Sequence, residues 1–417
     1  MKIDPQPAVP PAKSPGDERY WDAKDLESEL RRVFEICHGC RMCVGYCGSF
    51  PDVFARVDRD IEKKGATGSE LLDVDDFASV TELCWQCKLC YIKCPYTADE
   101  GHDWLVDVPS LLTREKAQRA RRHGVTVQDR ALGEPQALGM LGSGALAPLM
   151  NFVNANRLVR KVNEKVLGIS SEFPLPTFAP RSFERWLDHH VPLERAGNAV
   201  RVLEHNGFRV VRPEQTCCGM PNLDGGDMDS FLAKARTNVA SLLAEVRQGR
   251  DIVVAQPTCS YTLKREYPAL LGSADAREVA AHTFDLMEFL DRLRRQKKLE
   301  TEFTKGFGRV AYHAPCHMRA QKVGTPGARL LGLLPGTKVE VVEQCSAVDG
   351  TWGMKAQYYE MGRKYARKLT ERVAQARPDL VVSDCSLAAL RIQKENGVKV
   401  MHPIESLADA YGIAVAV

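Results

Sequence analysis

No stretch of this 417-residue sequence is apolar for long enough to cross a membrane. The longest uncharged run, Pro135 to Asn156, is interrupted by Gly139, Gly142, Gly144 and Pro148. It falls short of the ~20 apolar residues a spanning helix requires, although it is free to lie on a surface. Charge of one sign is equally scarce. Lys and Arg number 57 against 54 Asp and Glu, a net +3, so no strong field draws the chain to nucleic acid. The head, MKIDPQPAVPPAKSP, lacks the basic start and apolar core of an export signal, and the expected location is cytoplasmic. Also missing are a Walker loop, a G-x-G-x-x-G after a strand and a nucleophile elbow. Without such a motif the chain is not expected to oxidise a metabolite by itself.

Cysteine, by contrast, is abundant: there are 14. The cytosol keeps thiols reduced, so metal or redox chemistry explains them better than disulfides do. Eight fall into two runs, Cys37-His-Gly-Cys40-Arg-Met-Cys43-Val-Gly-Tyr-Cys47 and Cys84-Trp-Gln-Cys87-Lys-Leu-Cys90-Tyr-Ile-Lys-Cys94-Pro95. Both read C-x2-C-x2-C-x3-C, the spacing in which three thiolates wrap one [4Fe-4S] cube and the fourth reaches the other cube. The crossing assignment gives Cys37, Cys40, Cys43 and Cys94 to one cluster, and Cys84, Cys87, Cys90 and Cys47 to the second. Structural zinc sites would need pairs, not repeated quartets. Trp85 and Tyr91 are placed to shield the second cluster, a role that core packing would also explain.

Around the quartets the texture is helical. Leu26, Leu30, Val33 and Phe34 recur at helical spacing upstream of Cys37, and the insert from Gly48 to Leu83 carries further helical segments. Thr113 to His123 reads as a basic helix whose arginines face solvent, an acidic partner or lipid headgroups. With the apolar stretch Leu141 to Val153, it makes a case for peripheral membrane contact.

From residue 197 onward, β-branched runs alternate with amphipathic helices, the pattern of an α/β sheet. Two halves match. Helix 200–207, strand Phe208–Val211, turn Cys217-Cys218-Gly219, helix 231–246 and strand 251–255 ending near Cys259 are followed by helix 328–334, strand Lys338–Val342, turn Cys345-Ser346, helix 358–374 and strand 379–382 ending near Cys385. The cysteines are offset almost equally, which argues for internal duplication. They sit just past strand ends, where open α/β sheets hold ligands. Cys217, Cys218, Cys259, Cys316, Cys345 and Cys385 are thus candidate ligands of one further iron–sulfur centre. Each taken alone is equally a buried core thiol, and both readings stand. Gly219, Gly350 and Gly353 permit tight turns beside these cysteines.

The quartets, CCGMP at 217–221, QPTCSYTLKREYP at 256–268, YHAPCHM at 312–318 and SDCS at 383–386 resemble a family of iron–sulfur subunits. It includes the C subunit of anaerobic glycerol-3-phosphate dehydrogenase, the glycolate oxidase iron–sulfur subunit and the cysteine-rich subunit of heterodisulfide reductase. The resemblance implies an α+β multidomain chain, with a helical two-cluster ferredoxin domain over 21–125 and a disordered tail over 1–20. A connector over 126–196, open to membrane or partner contact, would lead to a duplicated α/β cysteine-rich (CCG-type) domain over 197–417, with halves 197–300 and 307–417.

It also implies two [4Fe-4S] clusters and an electron-transfer subunit between a flavoprotein dehydrogenase and a quinone or other acceptor, peripheral to the inner face of the cytoplasmic membrane. In that family each half offers a lone cysteine, a Cys-Cys-Gly turn and a C-x-x-C pair for a further centre. This chain has Ser346, Thr262 and Ala388 where cysteines belong. The strand carrying the first lone cysteine is missing, with His189 and His190 near its position. Six cysteines then suffice for one centre, flanked by His313 and His317 as supporting donors or as local backbone caps. Two rival readings are a thiol or heterodisulfide reductase using Cys217-Cys218, and a redox partner of a diiron peroxide reductase.

Overall fold

The computed structural model describes residues 3–180, 197–348 and 350–413. His189 and His190 lie outside the described residues. The chain is mostly helical, with two small parallel sheets in its C-terminal part.

The N-terminal part is built on helix Ala23–Cys40. Asp22 starts it by accepting from the Lys24 and Asp25 N–H groups, which satisfies donors that the first turn leaves without helical partners. Its stripe of Leu26, Leu30, Val33 and Phe34 is buried, as the spacing predicts. It faces helices Ser49–Lys64, Val74–Glu82 and Val108–His123, which supply Val53, Val57, Val80 and Leu112 to the same core. Burying each such side chain stabilises by about 1.5–3 kcal/mol. Ala347 and Trp352 of the C-terminal part belong to this core too, so the two parts share packing.

Two elements differ from expectation. The basic segment Thr113–His123 is mostly inward-facing. Buried Arg114 donates from Nε to Tyr20 O (2.8 Å) and pairs with Asp25 (2.8 Å), Lys116 donates to Asp224 O (2.8 Å), and Arg119 pairs with Glu115 (3.2 Å). Only Arg121, Arg122 and His123 at its end stay exposed. A run of arginines joins a core when each charge finds a carbonyl or carboxylate, and periodicity does not show those partners. Residues 3–20, expected to be unstructured, run along the molecule. Ser14 Oγ donates to Leu270 O (2.9 Å), and Ala12 and Tyr20 are buried. These buried side chains, with the Ser14 bond and those from Arg114 Nε and Gln118 Nε2 to Tyr20 O, hold the proline-rich strap.

The connector folds as helices Val127–Gly133, Pro135–Gly142, Ala147–Ala155 and Arg157–Leu167. Among the described residues no helix is long and apolar enough to cross a membrane. The connector helices leave Met140, Leu141, Phe152, Leu158 and Val166 exposed.

The C-terminal sheets show how complete each half is. Strands β1 (Ile252–Val254) and β2 (Thr283–Asp285) pair in parallel. Strands β3 (Arg309–His313), β4 (Lys338–Val342), β5 (Leu380–Ser383) and β6 (Val400–Met401) form a parallel sheet in the order β4-β3-β5-β6. The β5–β6 unit, each strand leading into a helix, repeats the β1–β2 unit. The expected strand Phe208–Val211, counterpart of β4, is irregular instead. Phe208 and Val210 still face the core, but no strand among the described residues takes the place that β3 fills beside β4. Alternation without a neighbour gives extended chain and no ladder.

Candidate iron–sulfur sites

Helix Ala23–Cys40 carries Cys37 and Cys40 on its last turn and is stopped by Arg41, whose φ of 52° is left-handed and whose N–H returns to Cys37 O. The turn brings Cys43 round, and Cys94 arrives from the second run, so Cys37, Cys40, Cys43 and Cys94 line one cavity. A second cavity is lined by Cys47, Cys84, Cys87 and Cys90, with Trp85, Gln86 and Lys88. The grouping follows the crossing pattern. Tyr91 turns away, its hydroxyl donating to Asp99 Oδ1 (3.1 Å).

Burial pushes the thiols up. Cys37 is raised well above its ordinary value by burial and then by neighbouring Cys43, Cys94 and Cys40, and Cys43 is pushed up to about 12 by burial, Cys94 and Cys40. In the second group Cys47 and Cys90 are raised well above the ordinary value by burial and then by their neighbouring cysteines. Cys84 rises to about 12 through burial, against the lowering effect of the Gln86 N–H. Cys87 raises Cys43, and Cys43 in turn raises Cys90, so the two groups are near neighbours. Thiols this reluctant to ionise become ligands only when a cation replaces their protons. Among the described residues, no three His, Cys, Asp or Glu side chains converge as one metal ion would need. All-sulfur donor sets spread round a cavity suit a polynuclear iron–sulfur group.

Contacts link five of the six C-terminal cysteines in two sets, Cys217, Cys218 and Cys259 in one and Cys316 and Cys345 in the other. Cys218 contacts both Cys217 and Cys259. Cys316 contacts Cys345 and also Cys87 of the second quartet, and the Cys345 sulfur accepts the Ala347 N–H (3.2 Å). Contact with Cys316 lowers Cys345, and contact with Cys345 and then Cys87 raises Cys316. Cys385 heads helix Ser386–Asn396, its N–H donating to Ser383 Oγ (3.3 Å). Gly219 is left-handed (φ 83°), and a Cβ there would lie 2.9 Å from the Phe231 ring.

His313 and His317 brace these loops. His313 Nε2 faces Gln344 O (3.1 Å) with Nδ1 on Ser383 Oγ (2.9 Å). His317 Nε2 faces Gln86 O (3.2 Å) with Nδ1 on Thr258 Oγ1 (2.9 Å). A carbonyl only accepts, so Nε2 carries the proton in both rings. Burial lowers both to about 4, which keeps them neutral at pH 7. They join separate cysteine loops, where a local cap would serve one.

Several contacts escaped sequence reasoning. Trp352 Nε1 donates to Glu82 O (2.8 Å) and Tyr358 OH to Glu82 Oε2 (2.8 Å), while Trp352 lies 4.9 Å from Trp85 and stacks on Tyr358. Their only sequence signal was an aromatic beside Gly353. That glycine is needed because a Cβ would strike Ala347 O at 2.6 Å.

The fold and these thiol groups define a protein with an N-terminal Fer4-like domain and a duplicated C-terminal cysteine-rich domain. Residues 30–123 match the family described as the citrate utilization protein B Fer4-like domain, and residues 187–264 and 310–393 each match the cysteine-rich domain. More particularly, the chain is related to the C subunit of the anaerobic glycerol-3-phosphate dehydrogenase of Escherichia coli K12, at 26% identity over 64% of this chain and 73% of that one. It is also related to the glycolate oxidase iron-sulfur subunit of the same strain, at 24% identity over 94% and 98%. Lactate utilization protein A of Oceanobacillus iheyensis is 27% identical over 50% of this chain and 88% of its own.

Proposed function

We propose that the chain is the electron-transfer subunit of an oxidoreductase complex, taking electrons from a flavoprotein dehydrogenase and delivering them to a quinone or similar acceptor. The observation that carries this reading is the continuity of thiol groups. The first quartet adjoins the second through Cys43, and the second touches the C-terminal domain where Cys87 meets Cys316. Cys37, Cys40, Cys43 and Cys94 would hold one [4Fe-4S] cluster, and Cys47, Cys84, Cys87 and Cys90 the other. A further centre would draw on Cys217, Cys218, Cys259, Cys316, Cys345 and Cys385. Such clusters, when bound, supply one-electron carriers whose potential follows local charge and hydrogen bonding. The residues round them exclude water, as buried Trp85 does, and fix the loops, as His313 and His317 do.

The acceptor side is supported by the connector. Gln136 accepts the Cys217 N–H (2.8 Å) from the helix that exposes Met140 and Leu141. Exposed apolar clusters of this kind suit a lipid surface or a lipid-soluble acceptor. Flotation with vesicles tests it: wild type should float, and Leu141→Glu with Phe152→Glu should not.

Iron and acid-labile sulfide counts on anaerobically purified protein test the whole reading, with about eight iron atoms expected from the quartets and about twelve if the further centre is filled. Zinc without sulfide would overturn it. The contacting thiols Cys217–Cys218 and Cys316–Cys345 support a second reading, thiol or disulfide reduction. Turnover of a disulfide substrate by this chain alone would favour it.

A further inference from the structure

Each quartet has a basic residue directly after its second cysteine: Arg41 in Cys40-Arg-Met-Cys43 and Lys88 in Cys87-Lys-Leu-Cys90. Both are left-handed, with φ of 52° and 61°, so both turn the chain round a cavity in the same way. Their side chains then part. Arg41 reaches out to Asp58 of its own domain (2.6 Å). Lys88 is buried and enters the C-terminal domain, where Nζ lies 2.8 Å from Glu266 Oε1, donates to Gln86 Oε1 (2.9 Å) and sits 5.8 Å from the Tyr261 ring centre.

Glu266 is placed by an irregularity. Between Pro257–Tyr261 and Tyr267–Leu271 the helix widens over Thr262–Glu266, with the Tyr267 N–H bonding back to Thr262 O. Pro268 follows, and a proline inside a helix crowds the carbonyl four residues earlier. A widened turn of this kind is rare and is frequently found at functional sites.

Burying an ion pair seldom stabilises a fold more than apolar packing would, so stability alone does not account for this one. Its position suggests another use. Lys88 lines the second cavity, and its charge acts on the Cys84 thiol. We propose that the Lys88–Glu266 pair sets the reduction potential of the second four-thiol site, so that the C-terminal domain tunes that site and leaves the first untouched. Reduction adds one negative charge at the site. The Lys88 ammonium favours the reduced form, and the Glu266 carboxylate offsets part of that effect. Lys88 is thus a positioning residue for charge, not a catalytic one. The inference rests on the reading that the quartets hold iron–sulfur clusters.

The test is an EPR-monitored redox titration of anaerobically purified full-length protein, with signals assigned by which one Cys84→Ala removes and which one Cys37→Ala removes. Lys88→Met should move the second signal to lower potential and Glu266→Gln to higher, while the first signal stays put. Lys88→Arg should restore the wild-type value. The double variant Lys88→Met, Glu266→Gln, which removes both charges, should return near it, and it serves if either single variant loses the cluster. Second-site potentials that do not move, or that move the same way in both single variants, overturn the inference while the clusters themselves stand. A wild-type protein with no cluster signal overturns the underlying reading instead, and the inference with it.

Discussion

The two cysteine loops share a sequence pattern and a backbone turn, yet one faces water and the other faces a domain. Residues Arg41 and Met42 of the first are exposed, Met42 at 57%, whereas their counterparts Lys88 and Leu89 are each 4% exposed. The Arg41–Asp58 pair is nearly half exposed on both sides; in the Lys88–Glu266 pair the side chains are 4% and 11% exposed. One motif therefore makes an independent site and an interdomain site, and what differs is the surface against which the loop is pressed. His317 on Gln86 O and Trp352 on Glu82 O are contacts that the C-terminal domain makes to the second loop.

The largest effects should come from the cysteines. Cys37→Ala is expected to remove about four of about eight iron atoms and to leave the second signal intact. Cys84→Ala should remove the same amount and, in addition, loosen the contact between domains, read as faster limited proteolysis between residues 126 and 197. Equal proteolysis of the two variants would break the comparison.

Next in size are the charge partners. Glu266→Gln strands a buried ammonium and should cost about 3–5 kcal/mol in denaturant unfolding. Asp58→Asn removes the partner of an exposed guanidinium and should cost about 1 kcal/mol or less. The apolar neighbours follow. Leu89→Ala empties a packed position and should cost about 2–5 kcal/mol, whereas Met42→Ala should stay within about 0.5 kcal/mol of wild type. A large cost for Met42→Ala would mean that this face is covered by something other than water.

Much of this was legible beforehand, and the unread part has a common cause. Spacing within Cys37–Cys47 and Cys84–Cys94 shows which three thiols follow one turn of chain, and the fourth of each run lines the cavity of the other. The helical stripe from Leu26 to Phe34 was equally plain, because periodicity reports burial directly. What sequence did not reveal is partnership across long separations. Glu266 is an unremarked residue until Lys88 is seen beside it, and Arg114 looks solvent-facing until Tyr20 O and Asp25 are found around it. Phe208–Val211 failed for a related reason: its alternation was real, but a strand exists only with a neighbour, and neighbours are not local. The C-terminal cysteines, aligned by duplication, likewise separate in their contacts, Cys217 and Cys259 meeting Cys218 while Cys345 meets Cys316, which also touches Cys87.

The smallest effect sharpens the contrast through solvent. Hydrogen bonds from His38 and then Arg41 hold the Asp58 carboxyl below its ordinary value. A carboxyl depressed in the folded state contributes stability above its unfolded value, about 3.9, and loses it as pH falls through the folded value. Asp58→Asn should therefore be slightly less stable than wild type at pH 7 and indistinguishable from it at about pH 2. Because the pair is exposed, the pH 7 difference should also fade in 1 M salt, where the screening length drops to about 3 Å. The Glu266→Gln difference should persist there, since ions do not reach a pair enclosed by Tyr261 and Gln86. Thermal melts of both variants at low and high salt measure this directly, and a salt-sensitive Glu266→Gln difference would show that the second loop is open to water after all.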